Sequence, residues 1–103
     1  MMQLYKKKKL QIIVEQPFAL EVLDIAEHNG ARGYTLVPDV SGKGRHGRRG
    51  HGDVIDMLDN VLIIIITEED IAHKILEEML PFMEDYTGIA YMSDVEVLRD
   101  KHY

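Results

Sequence analysis

The chain has 103 residues, 12 basic against 18 acidic, a formal net charge of −6 and no cysteine. That length allows one domain with a modest core, and the acidic balance argues against a general nucleic-acid binder, whose binding face is basic. The lack of cysteine removes disulfides and thiolate chemistry and suits a cytoplasmic protein. Lys6 to Lys9 precede an apolar run broken by Gln11, Glu15, Gln16 and Pro17, which rules against a signal peptide. Ile63 to Ile66 are too few to span a membrane.

The elements follow in a clear order. Leu10 to Val14 is apolar and β-branched, a strand with the lysines at its start. Pro17 fits the first turn of a helix. Phe18, Val22, Ile25 and Ala26 then fall on one helical face, and Asn29-Gly30 is a stop signal. A second strand runs from about Gly33 to Val40 with Tyr34, Leu36 and Val37. Val61 to Ile66 is nearly continuous and β-branched, the pattern of a central strand buried on both faces. Thr67 is placed to cap the next helix, with Glu68, Glu69 and Asp70 at its positive end. Ile71, Ile75, Met79 and Phe82 repeat at helical spacing, and Pro81 brings that helix near its end. A last strand covers about Ile89 to Leu98.

The order is β-α-β-β-α-β over a single domain, residues 1–103. Right-handed crossovers convert it into a ferredoxin-like α+β fold, a four-stranded antiparallel sheet with both helices on one face. The other face is left bare. Because Val61 to Ile66 carries apolar side chains toward both faces, a cyclic homo-oligomer with inward-facing sheets is expected.

Between the second and third strands lies Ser41 to Gly52, with five glycines, the cations Lys43, Arg45, Arg48 and Arg49, two histidines, and no acid or apolar side chain. Such a segment builds no core. Its glycines leave backbone N–H groups uncovered and its cations repel one another, so it is expected to stay mobile until an anion or partner settles on it. It makes a positive island on an acidic body, fitted to a small anion.

Four short motifs in order carry a family resemblance. Gly30-Ala31-Arg32-Gly33-Tyr34-Thr35 resembles the Gly-x-x-Gly-apolar-Thr segment of PII signalling proteins. Gln16-Pro17-Phe18 resembles their Lys-Pro-Phe, Gly42-Lys43-Gly44-Arg45 the Gly-x-Gly-Arg that begins their T-loop, and Tyr86-Thr87-Gly88 the start of their B-loop. The resemblance spans residues 10–98 and implies a homotrimer that binds adenine nucleotides between subunits and signals through the T-loop, here residues 41–59. It implies Thr35 at the adenine, Gly42, Lys43, Gly44 and Arg45 near the phosphates, and Thr87 and Gly88 closing the site. Glycine N–H groups and arginine are sensible phosphate donors.

The departures narrow the resemblance. No tyrosine or glutamine stands between Ser41 and Asn60, so neither tyrosine modification nor the family's magnesium-dependent 2-oxoglutarate binding is expected. Ile89, Ala90 and Tyr91 replace the family's Gly-Asp-Gly-Lys, and Arg99 and Lys101 are left to supply phosphate donors. Fewer donors disfavour ATP relative to ADP or AMP. The sequence resembles the divergent PII-like branch linked to carboxysomes and bicarbonate transport, which implies bicarbonate as a second ligand and a membrane transporter or carbon-metabolism protein as partner.

Two other classes compete. An RNA-binding module shares the element order, but such modules stack bases on aromatics of the central strands, and Leu10 to Val14 and Val61 to Ile66 have none. Metal binding by His46 and His51 matches no zinc spacing. An enzyme is not expected: there is no Walker loop and no nucleophile beside an evident base.

Overall fold

The computed structural model describes residues 2–42, 59–85 and 88–103. Strand β1 runs over Tyr5–Glu15. Pro17 then sits in a 3-10 turn, Gln16–Phe18, that leads into helix α1, Ala19–His28. Strand β2 is Thr35–Val40 and β3 is Asn60–Thr67. Helix α2 covers Glu69–Asp85, passing through Pro81 and continuing four residues beyond it. Strand β4 is Gly88–Val97.

The four strands form one antiparallel sheet in the order β2-β3-β1-β4. This is the ferredoxin-like arrangement that the element order implies. Alternation along the strands sends Leu10, Ile12 and Val14 of β1 and Val61, Ile63 and Ile65 of β3 into the core. There they meet Val22 and Ala26 of α1 and Ala72, Ile75, Met79 and Phe82 of α2. Phe18 and Phe82 pack edge to face with ring centroids 5.7 Å apart, joining the start of one helix to the later turns of the other.

Helix α1 ends in a Schellman motif. The Gly30 N–H donates to Glu27 O and the Ala31 N–H to Ala26 O, both at 3.0 Å, while Gly30 takes φ +102°. Asn29 adds side-chain donation to Ile25 O at 2.9 Å and to Glu78 of α2 at 3.0 Å. The chain is thereby turned toward β2.

β1 begins at Tyr5, so the whole lysine block lies at the start of the strand, as expected. Two expectations need correction. Thr67 does not cap α2. It extends the alternation of β3, paired with Lys8, and its hydroxyl is buried with no hydrogen-bond partner among the described residues. In the single chain β3 is buried on one face only, Leu62, Ile64 and Ile66 being half-exposed.

Candidate functional site

The sheet's register fixes where the candidate residues stand. β1 and β4 pair from Tyr5↔Val97 to Val14↔Gly88, and β2 and β3 from Thr35↔Ile64 to Val40↔Asn60. One end of the sheet therefore gathers Gly88, the close of β2 with Gly42 beyond it, and Asp59 just before β3. At that end the Gln16 N–H donates to Asp59 O at 2.7 Å, fixing the point where the segment 43–58 returns. Arg99 lies past the other end. The nine residue steps from Gly88 to Val97 separate the two ends by about 30 Å.

Among the candidates, Thr35 opens β2 opposite Ile64, in the row of the face that the helices leave bare. Gly42 is exposed, with open space around the position a Cβ would take. Gly88 is tightly enclosed: a Cβ there would meet Met83 Sδ at 2.9 Å and Ile13 O at 3.1 Å. Its glycine is thus a packing requirement where β4 begins against β1. Arg99 is exposed and has no hydrogen bond or ion pair among the described residues. Lys43, Gly44, Arg45 and Thr87 lie outside the described residues. Within one chain the structure does not bring Arg99 together with Gly42 and Gly88.

The bare face is mainly apolar, with half-exposed Lys9 and Gln11 of β1 beside Ile66 and Ile64. Ile13, Leu62, Ile64 and Ile66 are half-exposed along its centre, with Ile89 and Tyr91 exposed on β4. Edge strand β2 carries Pro38 where no inner partner needs its missing N–H, and Asp39 at φ +56° accompanies a register shift.

A second polar cluster forms around the lysine block, whose acidic partners the sequence did not announce. Lys6, Lys7 and Lys8 line a groove with Glu68, Glu69, Asp94, Val95 and Glu96. The Lys7 side chain is only 2% exposed, and its Nζ donates to Glu68 Oε2 at 2.5 Å and to Asp100 Oδ1 at 2.9 Å. These two hydrogen bonds, Glu68's first, raise the Lys7 pKa above the ordinary lysine value, against the opposing effect of burial. Lys8 donates to Asp94, which raises Lys8 and lowers Asp94. The only hint in the sequence is the matching i, i+2 spacing of Lys6/Lys8 and Asp94/Glu96, and the strand register is needed to join them.

Among the described residues, no group of three His, Cys, Asp or Glu side chains is placed to hold a metal ion, and no helix is long and apolar enough to cross a membrane. His28 ends α1, and exposed His73 stands 3.8 Å from Glu69, one turn away on α2.

A four-stranded antiparallel sheet with two helices on one face, a mainly apolar opposite face and a glycine-rich basic connection between β2 and β3 defines a ferredoxin-like α+β protein. The family model of nitrogen regulatory protein P-II matches residues 7–102, and the chain belongs to that family as a PII-like regulatory protein. CPII of Thiomonas intermedia, a structure bound to ADP and bicarbonate, is 35% identical with a TM-score of 0.83, covering 96% of this chain and 95% of its own. CPII bound to ADP, AMP and acetate aligns with a TM-score of 0.85 at 30% identity, over 99% and 98% of the two chains. A PII-like signalling protein of Thermus thermophilus is 27% identical with a TM-score of 0.79, over 99% of both chains.

Proposed function

We propose that this chain acts as one domain in a homotrimeric regulator that binds ADP or AMP in clefts between subunits. ATP is held less well, and bicarbonate is the second ligand. The carrying observation is the separation of Arg99 from Gly88 and Gly42 at opposite ends of the sheet. Two copies are needed to bring these donors to one phosphate group, and the apolar bare face supplies the surface on which copies associate. The complexes of CPII with ADP, AMP and bicarbonate support the choice of ligands.

In this reading Thr35 contacts the adenine. Gly42, Lys43, Gly44 and Arg45 form the base of a T-loop, residues 41–59, whose backbone N–H groups and cations face the phosphates. Thr87 and Gly88 close the cleft, and Arg99 reaches in from a neighbouring subunit. The protein signals rather than catalyses. The ligand-ordered T-loop engages a membrane transporter or a carbon-metabolism protein in the cytoplasm, without nucleic acid.

The test is thermal melting of the purified protein with AMP, ADP and ATP, each with and without bicarbonate. Ligand at about 100 times its dissociation constant adds roughly 2.7 kcal/mol of stability. The expected order is a clear shift with ADP and AMP and a smaller one with ATP. No shift with any adenine nucleotide overturns the reading and returns the basic loop to direct binding of protein or RNA.

A further inference from the structure

Three of the four lysines at the start of β1 do different work. Lys8 is matched across the ladder by Asp94, and Lys6 stands opposite Glu96. Lys7 has no such opposite number, because its register partner is Val95. It is also the buried one. An ammonium withdrawn from water needs carboxylate partners, and both of Lys7's come from other parts of the chain: Glu68 at the junction of β3 and α2, and Asp100 in the segment that follows β4.

That segment, residues 98–103, forms no helix or strand. Among the described residues, the Lys7–Asp100 pair is the one side-chain hydrogen bond or ion pair that ties it to the rest of the chain. Asp100 stands between Arg99 and Lys101, both exposed. Fixing the Asp100 carboxylate at Lys7 restricts the backbone from which the Arg99 guanidinium projects.

We infer that Lys7 is a positioning residue for anion binding: by gripping Asp100 it holds the segment after β4 in the arrangement that presents Arg99 to a nucleotide phosphate. The inference rests on the placement of Arg99 in the cleft under Proposed function. A donor held in place before the ligand arrives avoids the ordering cost of a free side chain, about 0.5–1.5 kcal/mol, which corresponds to roughly 2- to 12-fold in affinity.

The experiment measures ADP affinity by titration calorimetry and amide exchange across residues 98–103 for Asp100→Asn, Asp100→Glu, Lys7→Met and Arg99→Ala in the full chain. Asp100→Asn is expected to weaken ADP binding by about 3- to 10-fold and to speed exchange in the segment. Asp100→Glu should recover most of both, a rescue that loss of general stability does not produce. Lys7→Met keeps the buried bulk and should match Asp100→Asn. If Arg99→Ala weakens ADP binding while Asp100→Asn and Lys7→Met bind like the parent, the positioning role is wrong and the cleft assignment stands. If Arg99→Ala itself binds ADP like the parent, the cleft assignment fails, and the positioning role falls with it.

Discussion

Lys8 and Asp94 stand directly opposite each other in the β1–β4 ladder, and the Lys8 ammonium donates a hydrogen bond to the Asp94 carboxylate. One step of alternation away, Lys6 faces Glu96 in the same register. A run of four lysines is a poor strand sequence by composition. Here it is admitted to the sheet because Lys8 meets Asp94 and Lys6 stands opposite Glu96 on β4, while Lys7 is paired with Glu68 and Asp100. The consequence for function is that Lys7 and Lys8 are already paired with carboxylates and are not free basic groups.

The pairing gives stability a defined pH dependence. Asp94 titrates below its unfolded value, so its contribution is fully present above the ordinary carboxylate range, near pH 3.9, and is lost as pH falls through the lower folded value. Lys7 and Lys8 titrate above theirs. Their contribution is present below about pH 10.4 and drains away as pH rises through the raised values. Asp94 is largely exposed, so the acid-side effect is small. Melting temperatures of Asp94→Asn should decline less steeply than the parent's below about pH 4. Parallel acid limbs would remove the pair from the account.

Gly30 holds a positive φ that closes α1, so Gly30→Ala is strained whatever the space available. A loss of about 1 kcal/mol or more is expected in urea unfolding. Gly33→Ala is the matched control, with nothing within 4 Å of the added methyl, and should stay within about 0.5 kcal/mol of the parent. Equal effects at the two glycines would argue against the cap.

Gly88→Ala pushes a methyl toward Met83 Sδ and Ile13 O. The Met83 tip can swing aside, but the backbone carbonyl yields only with a shift of the ladder. A destabilisation of about 1–3 kcal/mol follows from overpacking of this kind. The readout is the denaturation midpoint without nucleotide, which separates packing from any part Gly88 has in binding.

Neighbours on β3 should behave differently. Ile63 is fully buried under the helices, and Ile63→Ala should cost about 2–5 kcal/mol of fold stability. Ile64 projects onto the bare face and is half-exposed, so Ile64→Lys should leave a folded chain that no longer assembles. Sedimentation velocity reads the difference. A folded Ile64→Lys protein with the parent's sedimentation coefficient would show that this face is not where copies meet.

The order of elements and the core were legible because hydrophobic period alone marks them: alternation at Leu10, Ile12 and Val14, and helical spacing at Ile71, Ile75, Met79 and Phe82. What was not legible depended on pairings between distant positions. Nothing local to Lys6–Lys9 announces that Asp94 and Glu96 will lie beside Lys8 and Lys6, so that pairing is hidden. Thr67 carries a local capping signal that the continuation of β3 overrides. The candidate residues were readable as motifs, but their distribution between the two ends of the sheet follows from register. Lys7 and Asp100, 93 positions apart, have no sequence signal at all.

The distance between Gly88 and Arg99 along β4 also bears on genetics. On the proposed assembly each cleft takes its donors from two chains, so a defect in Arg45 and a defect in Arg99 strike different halves of it. A trimer of either variant alone has no intact cleft. Mixed trimers formed by co-expressing Arg45→Ala with Arg99→Ala would regain some intact clefts, wherever two unaltered halves meet. Two inactive alleles would then partly restore one another, and the fraction of recovered sites would report which halves are neighbours.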